Sequence, residues 1–335
     1  MSSETIQLDH GAGGDFTRAA IADLVARQLG STDAGAGDGE ALELDVAQIA
    51  MRSDTFVLDP LFFDGGDIGR LAVCASVNGL ASAGAVPRYL TISLVIEQGL
   101  PVADLAHVLD SVRASAAEAE VEVLAGDTQV VRAGEADKLF LAVAGVGELA
   151  LEVELGAERV CPGDAVILTG ALGNHGLQIL SQRAGLAAAV PSDCAPLGGL
   201  VWNLLEDYAS SLRCMRELSR GGLIGTLKEL AAGAGASIEL EEHRLPVARE
   251  ARTTAARLGS DPLQLPSGSS LCLVVEGAAA ADVLELIRWQ PQGKTAQIAG
   301  VVREGPSGAL TLVGPDGAGE LALEPLVAGA PARLR

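Results

Sequence analysis

Aromatic side chains are scarce in this chain, at 3% of 335 residues. With an apolar fraction of 49%, it folds around cores that must be built from Ala, Val, Leu and Ile. Cations are short too. Twenty-three Lys and Arg stand against 44 Asp and Glu, a formal charge of −21. Nucleic-acid binding, which needs clustered Lys and Arg, is therefore not expected. No Cys-x-x-Cys occurs, and Cys74, Cys161, Cys194, Cys214 and Cys272 are odd in number and widely spaced. That pattern argues against a disulfide framework or a zinc site and predicts reduced thiols, most of them small core residues. No apolar run is long enough to span a bilayer. The first residues, Met1 to Gln7, lack the basic and apolar regions of a signal peptide. The expectation is a cytoplasmic protein without membrane contact.

What is present points to two domains, a length of 335 residues being enough for two cores. The boundary falls between Leu149 and Gly163, giving units over 1–150 and 151–335. In the first, strands are expected at 55–58, 91–96, 121–124 and 139–146. Helices are expected at 17–29, 68–83 and 103–117, from apolar residues at helical spacing. The second has strands at 165–169, 238–240, 271–275, 298–302 and 310–313. Its helices are expected at 200–212, 223–232 and 279–289, with a short one beginning at Asn174. Strands and helices alternate without a simple βαβ period, which gives an α+β class.

The stretch from Arg52 to Leu90 organises the first unit. Asp54 stands at the edge of its strand, Gly65 and Gly66 make a loop, and Asp67 precedes a helix rich in small residues. Acids at strand ends beside a Gly-rich loop suit a Mg-nucleotide site, with hard oxygens for the metal and N–H groups for phosphate. Asp and Gly are equally the commonest turn residues, so ordinary loops remain the alternative on residue types alone.

The wording of that stretch resembles the signature of HypE, the carbamoyl dehydratase of NiFe-hydrogenase maturation, in the AIR synthase (PurM-like) superfamily. Five further motifs carry the resemblance: His10 to Gly14, Gly126-Asp127-Thr128, Asn174-His175-Gly176, Ser192 to Ala195 and Ser219 to Gly222. It implies a PurM-like two-domain α+β fold, with an N-terminal α/β layer for dimerisation and ATP binding and an α+β C-terminal domain. It implies Mg2+ at Asp45, Asp54 and Asp127, and ATP held by His10, Gly11, Gly13, Gly14, Asp54, Asn78, Gly126, Asp127, Thr128, Gly221 and Gly222. Arg220 would meet phosphate or acid groups across the cleft. His175 is either an acid–base group or a structural cap. The implied partners are a second copy of the chain and a carbamoyltransferase or other maturation protein.

Several reactive positions depart from the pattern. Gly79 stands where the family has Asp, Gln129 where it has Lys, and Ser267 to Ser270 replace a segment carrying Glu and Lys. The tail, Pro331 to Arg335, has no thiol, whereas the family's terminal Cys is the carbamoyl carrier. Two readings follow. One is a divergent ATP-dependent enzyme that activates an amide or carboxylate oxygen on a separate substrate. The other is a degenerate paralogue that acts as a binding or scaffold protein in hydrogenase maturation.

Overall fold

A computed structural model describes residues 5–11, 24–25, 28, 48–149, 153–187, 190–314, 320–324 and 334. Gly13, Gly14 and Asp45 lie outside these residues, as do the 17–29 helix, apart from Leu24, Val25 and Gln28, and most of the tail.

The first layer is a sheet in the order β1 (Ile49–Phe56), β7 (Leu139–Glu148), β4 (Val86–Glu97), β5 (Glu122–Ala125), and β6 (Thr128–Val131) continues along β4 beyond β5. β1 is longer than its expected span, and Asp54 lies within it. Its polar residues Arg52, Ser53 and Asp54 hid the strand's alternation, and ten-residue β7 pairs with all of it, from Ile49 opposite Glu148 to Phe56 opposite Leu141. Ile49 and Met51 project from one face and are exposed, while Phe56 is buried on the other. The buried side is covered by α1 (Ile68–Ser82) and α2 (Val102–Glu118). Thirteen of the fifteen α1 residues are buried. Its Ala, Gly and Ser let neighbouring backbones approach from several sides, which large side chains would prevent.

The Gly65–Gly66 loop expected near phosphate is instead the tip of a short hairpin, β2 (Phe62–Phe63) with β3 (Gly66–Asp67). Gly65 adopts φ +95°, and a Cβ there would lie 2.4 Å from the Ser192 carbonyl oxygen. Only glycine satisfies both conditions. Asp67 caps α1 by accepting from the Arg70 N–H at 3.0 Å. Its position at a helix N-terminus explains it without a ligand.

The second layer has seven strands, ordered β14 (Glu320–Ala322), β13 (Leu310–Val313), β10 (Ser237–Glu241), β12 (Gln297–Arg303), β8 (Ala165–Leu168), β11 (Leu271–Val275), β9 (Leu212–Glu217). Around it pack α3 (Asn174–Arg183), α4 (Gly198–Tyr208), α5 (Gly222–Ala234), α6 (Arg249–Leu258) and α7 (Ala280–Trp289). Besides β14, which had no expected counterpart, two elements depart from expectation. The helix expected to reach Leu212 ends at Tyr208, and β9 follows, antiparallel to β11. Leu212, Cys214 and Met215 are buried, Arg213 and Glu217 are half-buried and Arg216 is exposed, so both faces of the strand carry buried residues and no clean two-residue alternation marks it. α6 escaped notice because the residues it buries, Ala251, Thr254 and Ala255, are small. At the seam, one apolar cluster draws Leu71, Val77 and Leu90 together with Leu177, Ile179, Ala251 and Leu334.

Candidate functional site

The second-layer motifs, far apart in sequence, meet at this seam. Gly173, left-handed at φ 70°, turns the chain into α3 and sets His175 in its first turn. The His175 ring is buried. Its Nε2 lies 2.7 Å from the Leu334 carbonyl oxygen and its Nδ1 2.9 Å from Ser192 Oγ. A carbonyl can only accept, so Nε2 carries the hydrogen and Nδ1 accepts from the serine hydroxyl. The edge of Phe63 packs on the ring at a centroid distance of 5.2 Å. His175 thus joins α3, the Ser192 loop, the β2–β3 hairpin and the tail. Both ring nitrogens are engaged inside the protein, which favours the structural expectation for His175 over the acid–base one.

Asp193, next to Ser192, holds the segment that replaces the family's Glu and Lys. Its Oδ1 accepts from Gly268 N–H at 2.9 Å, and Oδ2 faces Ser269 N–H at 3.4 Å. Burial pushes its carboxyl above the ordinary range, against the pull of these N–H groups. The serine hydroxyls also turn inward. Ser267 Oγ accepts from Gly173 N–H at 3.0 Å, Ser270 Oγ donates to Ala171 O at 2.7 Å, and Ser269 Oγ donates to the Asp193 carbonyl. The 262–270 segment crosses the start of α5 as well. A Cβ on Gly222 would lie 2.7 Å from the carbonyl oxygens of Leu263 and Leu265. Gly221 is left-handed at φ 77°, and Arg220 before it is exposed and makes no hydrogen bond or ion pair with the described residues. Arg220 is thus exposed at the start of α5, where an anion could meet a guanidinium and the end of a helix, although the Gly222 N–H is already bonded to Ser219 O at 3.0 Å.

On the first layer, Asn78 is fully committed to the seam. Its Nδ2 donates to Ala195 O at 3.0 Å, and its Oδ1 accepts from Leu197 N–H at 2.7 Å. With 1% of its surface exposed, it clamps α1 to the loop before α4. Arg70 reinforces this contact by donating from Nε to Cys194 O at 2.9 Å while pairing with Glu118 at 2.7 Å.

Asp54 is met by a neighbour absent from the expected set. Arg52, two residues earlier on the same face of β1, directs Nε to Asp54 Oδ2 at 2.5 Å and Nη2 to Oδ1 at 3.2 Å. The same Nη2 reaches Glu217 Oε2 of β9 at 2.7 Å. Burial works against this charge, but hydrogen bonds and charge from Asp54 and Glu217 outweigh it and hold the guanidinium's pKa above its ordinary value. The guanidinium rests on Gly79, where a Cβ would stand 1.7 Å from Nη1. The sequence signal was available: an arginine alternating with the candidate ligand, and a glycine inside a helix, where it costs about 1 kcal/mol without a packing reason.

Gly126-Asp127-Thr128 occupies the break between β5 and β6. A Cβ on Gly126 would come 1.8 Å from the Ile92 carbonyl oxygen, so glycine is required for the strand to close on β4. Asp127 Oδ1 accepts from Thr128 N–H at 2.8 Å, and Oδ2 from Gln129 Nε2 at 3.2 Å. His10 and Gly11 lie against the same edge. His10 Nδ1 accepts from Gln7 N–H at 3.2 Å, and a Cβ on Gly11 would meet Val130 Cβ at 2.8 Å. The structure therefore brings His10, Gly11, Gly126, Asp127 and Thr128 together, with Asp54 elsewhere. Asp54 is in register with Val143 and, through it, with Ile92, three strand spacings from the Asp127 edge. That is roughly 14 Å, too far for two Asp side chains of one chain to share a Mg2+ with oxygens at about 2.1 Å. Both carboxylates also accept from protein donors, and among the described residues no group of three or more His, Cys, Asp or Glu could hold an ion. The expected metal set is thus not assembled by the described residues of a single chain.

The thiols offer no carrier in the cleft. Cys74, Cys194, Cys214 and Cys272 are buried and Cys161 is exposed. Burial holds the Cys272 thiol far above its ordinary pKa. Among the described residues no helix is long and apolar enough to cross a membrane.

Comparison with known proteins agrees with this architecture. Residues 37–149 match the family model of the AIR synthase related protein N-terminal domain, and residues 161–313 that of its C-terminal domain. The carbamoyl dehydratase HypE of Azotobacter vinelandii is 39% identical over 305 residues, covering 90% of this chain and 89% of that protein. A crystal structure of the hydrogenase maturation protein HypE in complex with ATP superposes with a TM-score of 0.94 at 35% identity, over 99% of this chain and 100% of the other. A HypE–HypF complex matches at a TM-score of 0.80 and 35% identity, over 83% of this chain and 90% of that one. With two domain models spanning most of its length and HypE relatives matched nearly end to end, the chain belongs to the AIR synthase related family, in the group of the hydrogenase-maturation protein HypE.

Proposed function

We propose that this chain is an ATP-binding member of the HypE group that serves hydrogenase maturation as a binding partner. The observation that carries this reading is the 267–270 segment. Where the family pattern has Glu and Lys, the hydroxyls of Ser267, Ser269 and Ser270 are each bonded to backbone, at Gly173 N–H, the Asp193 carbonyl and the Ala171 carbonyl. Gln129 folds its amide onto Asp127 in the same spirit. Removing an acid and an ammonium from a cleft removes groups that would move a proton or meet phosphate charge. What persists is suited to holding an anion: Arg220, Gly221 and Gly222 at the start of α5. ATP is named because a relative of nearly identical fold is described in complex with it. A HypF-type protein is the partner of choice, since a HypE relative is described in complex with HypF.

We further propose a homodimer through the first-layer sheet. Ile49 is 44% exposed and Met51 71% on the face of β1 opposite α1 and α2, a row of large apolar side chains that a second sheet would cover. A second reading, ATP-dependent turnover of a separate substrate, is favoured by the exposed, unpaired Arg220. Calorimetric titration with ATP, then phosphate release and intact-mass spectrometry with a carbamoyltransferase partner present, separates the two. Binding with neither phosphate release nor a carbamoyl or cyano adduct is the expected result. Phosphate release without an adduct would support the second reading, and an adduct on any cysteine would defeat both.

A further inference from the structure

Arg52, Asp54, Glu217 and Gly79 form a charge cluster that ATP binding by itself does not explain. Arg52 and Asp54 come from β1 of the first layer and Glu217 from the end of β9 in the second, while Gly79 is an interior residue of α1. Glycine weakens a helix, and here the missing side chain leaves room that the flexible end of Arg52 occupies. The Arg52 Nη1, Cζ and Nε atoms lie 1.7, 2.1 and 2.4 Å from where a Cβ of residue 79 would be. All three are below any real Cβ contact, so the guanidinium fills the volume of the missing side chain. Its nitrogens also use the lone pairs of both carboxylates, at 2.5 and 3.2 Å on Asp54 and 2.7 Å on Glu217. A divalent ion would need those oxygens at about 2.1 Å, next to a cation that cannot be deprotonated.

We infer that Arg52 is a built-in cation which takes the place of a metal ion at the domain seam, neutralising Asp54 and Glu217 and tying β1 to β9 without any metal. Arg52 and Gly79 form a single unit in this design: the glycine makes the space, and the arginine supplies the charge. The seam then holds together in the presence of a chelator and at any magnesium concentration. This goes beyond nucleotide binding and does not depend on it.

The test is a Mn2+ titration of the nucleotide-free protein, read by loss of the free-ion electron paramagnetic resonance signal, with thermal melting in EDTA and in excess MgCl2. Wild type is expected to take up no Mn2+ that Asp54→Asn abolishes, and to melt at the same temperature in both buffers. The double variant Arg52→Thr/Gly79→Asp removes the cation and adds a carboxylate. It is expected to gain a Mn2+ site and to melt higher with MgCl2 than with EDTA. Wild-type Mn2+ uptake that disappears in Asp54→Asn overturns the inference, as does a folded double variant that takes up no Mn2+. Should the double variant fail to fold, the comparison of wild type with Asp54→Asn still decides. Because no nucleotide is present, failure to bind ATP would count against the proposed function and leave this result standing.

Discussion

Replacing Asn78 by Ala separates a clamp from a nucleotide contact. The side chain is 1% exposed and bonds two backbone groups of the other domain, Ala195 O at 3.0 Å and Leu197 N–H at 2.7 Å. Alanine leaves both without a partner in a buried place, at about 1–3 kcal/mol each. Better helix propensity returns roughly 0.5 kcal/mol. The net loss is about 2–5 kcal/mol, which at this chain size corresponds to a fall in melting temperature of roughly 5–15 °C. Differential scanning calorimetry measures that fall, and ATP titration well below the new melting temperature measures binding. The clamp argument requires a large loss of stability with ATP affinity kept within a few-fold of wild type. A variant that melts like wild type but loses ATP would return Asn78 to the nucleotide and refute it.

Two further outcomes follow, one at the seam and one at the start of α1. Deleting Pro331 to Arg335 takes away Leu334, leaves His175 Nε2–H without its acceptor and empties an apolar position. Urea denaturation should show a loss of about 2–4 kcal/mol, while calorimetry should find ATP binding nearly intact. Burial raises the Asp67 carboxyl above its ordinary pKa, the N–H groups of its capping position pulling the other way. A raised acid pKa means that the folded state binds the proton more tightly than the unfolded chain does. The charged form therefore costs stability at neutral pH, and that cost is recovered as pH falls through the raised value. Compared with Asp67→Asn, which keeps a capping side chain, wild type should gain stability between neutral pH and about pH 4. A difference that moves the other way in urea denaturation would show that the cap, not burial, governs this carboxyl.

The sequence by itself determined the alternating apolar pattern of the two layers, the long helices α1 and α2, and the motifs that carry the family resemblance. Those features are local: a helix is legible when Leu105, Val108, Leu109 and Val112 recur on one face, and a glycine motif survives as a string. The missed elements had weak local signals. β9 follows a helix after only a three-residue turn, and α6 buries only small side chains. Tertiary structure decided what each polar residue of the motifs does. Asn78 and His175 sit in strings that read as site residues, but the fold commits their hydrogen-bonding atoms to backbone and side-chain partners more than a hundred residues away, or across a loop from Ser192. Arg52 shows the same limit from the other side. Its role depends on Glu217 and on the space above Gly79, two features that no window of sequence contains together. Charge and hydrogen bonding act over a few ångströms in space, so their outcome is set by which strands and helices the fold brings into contact.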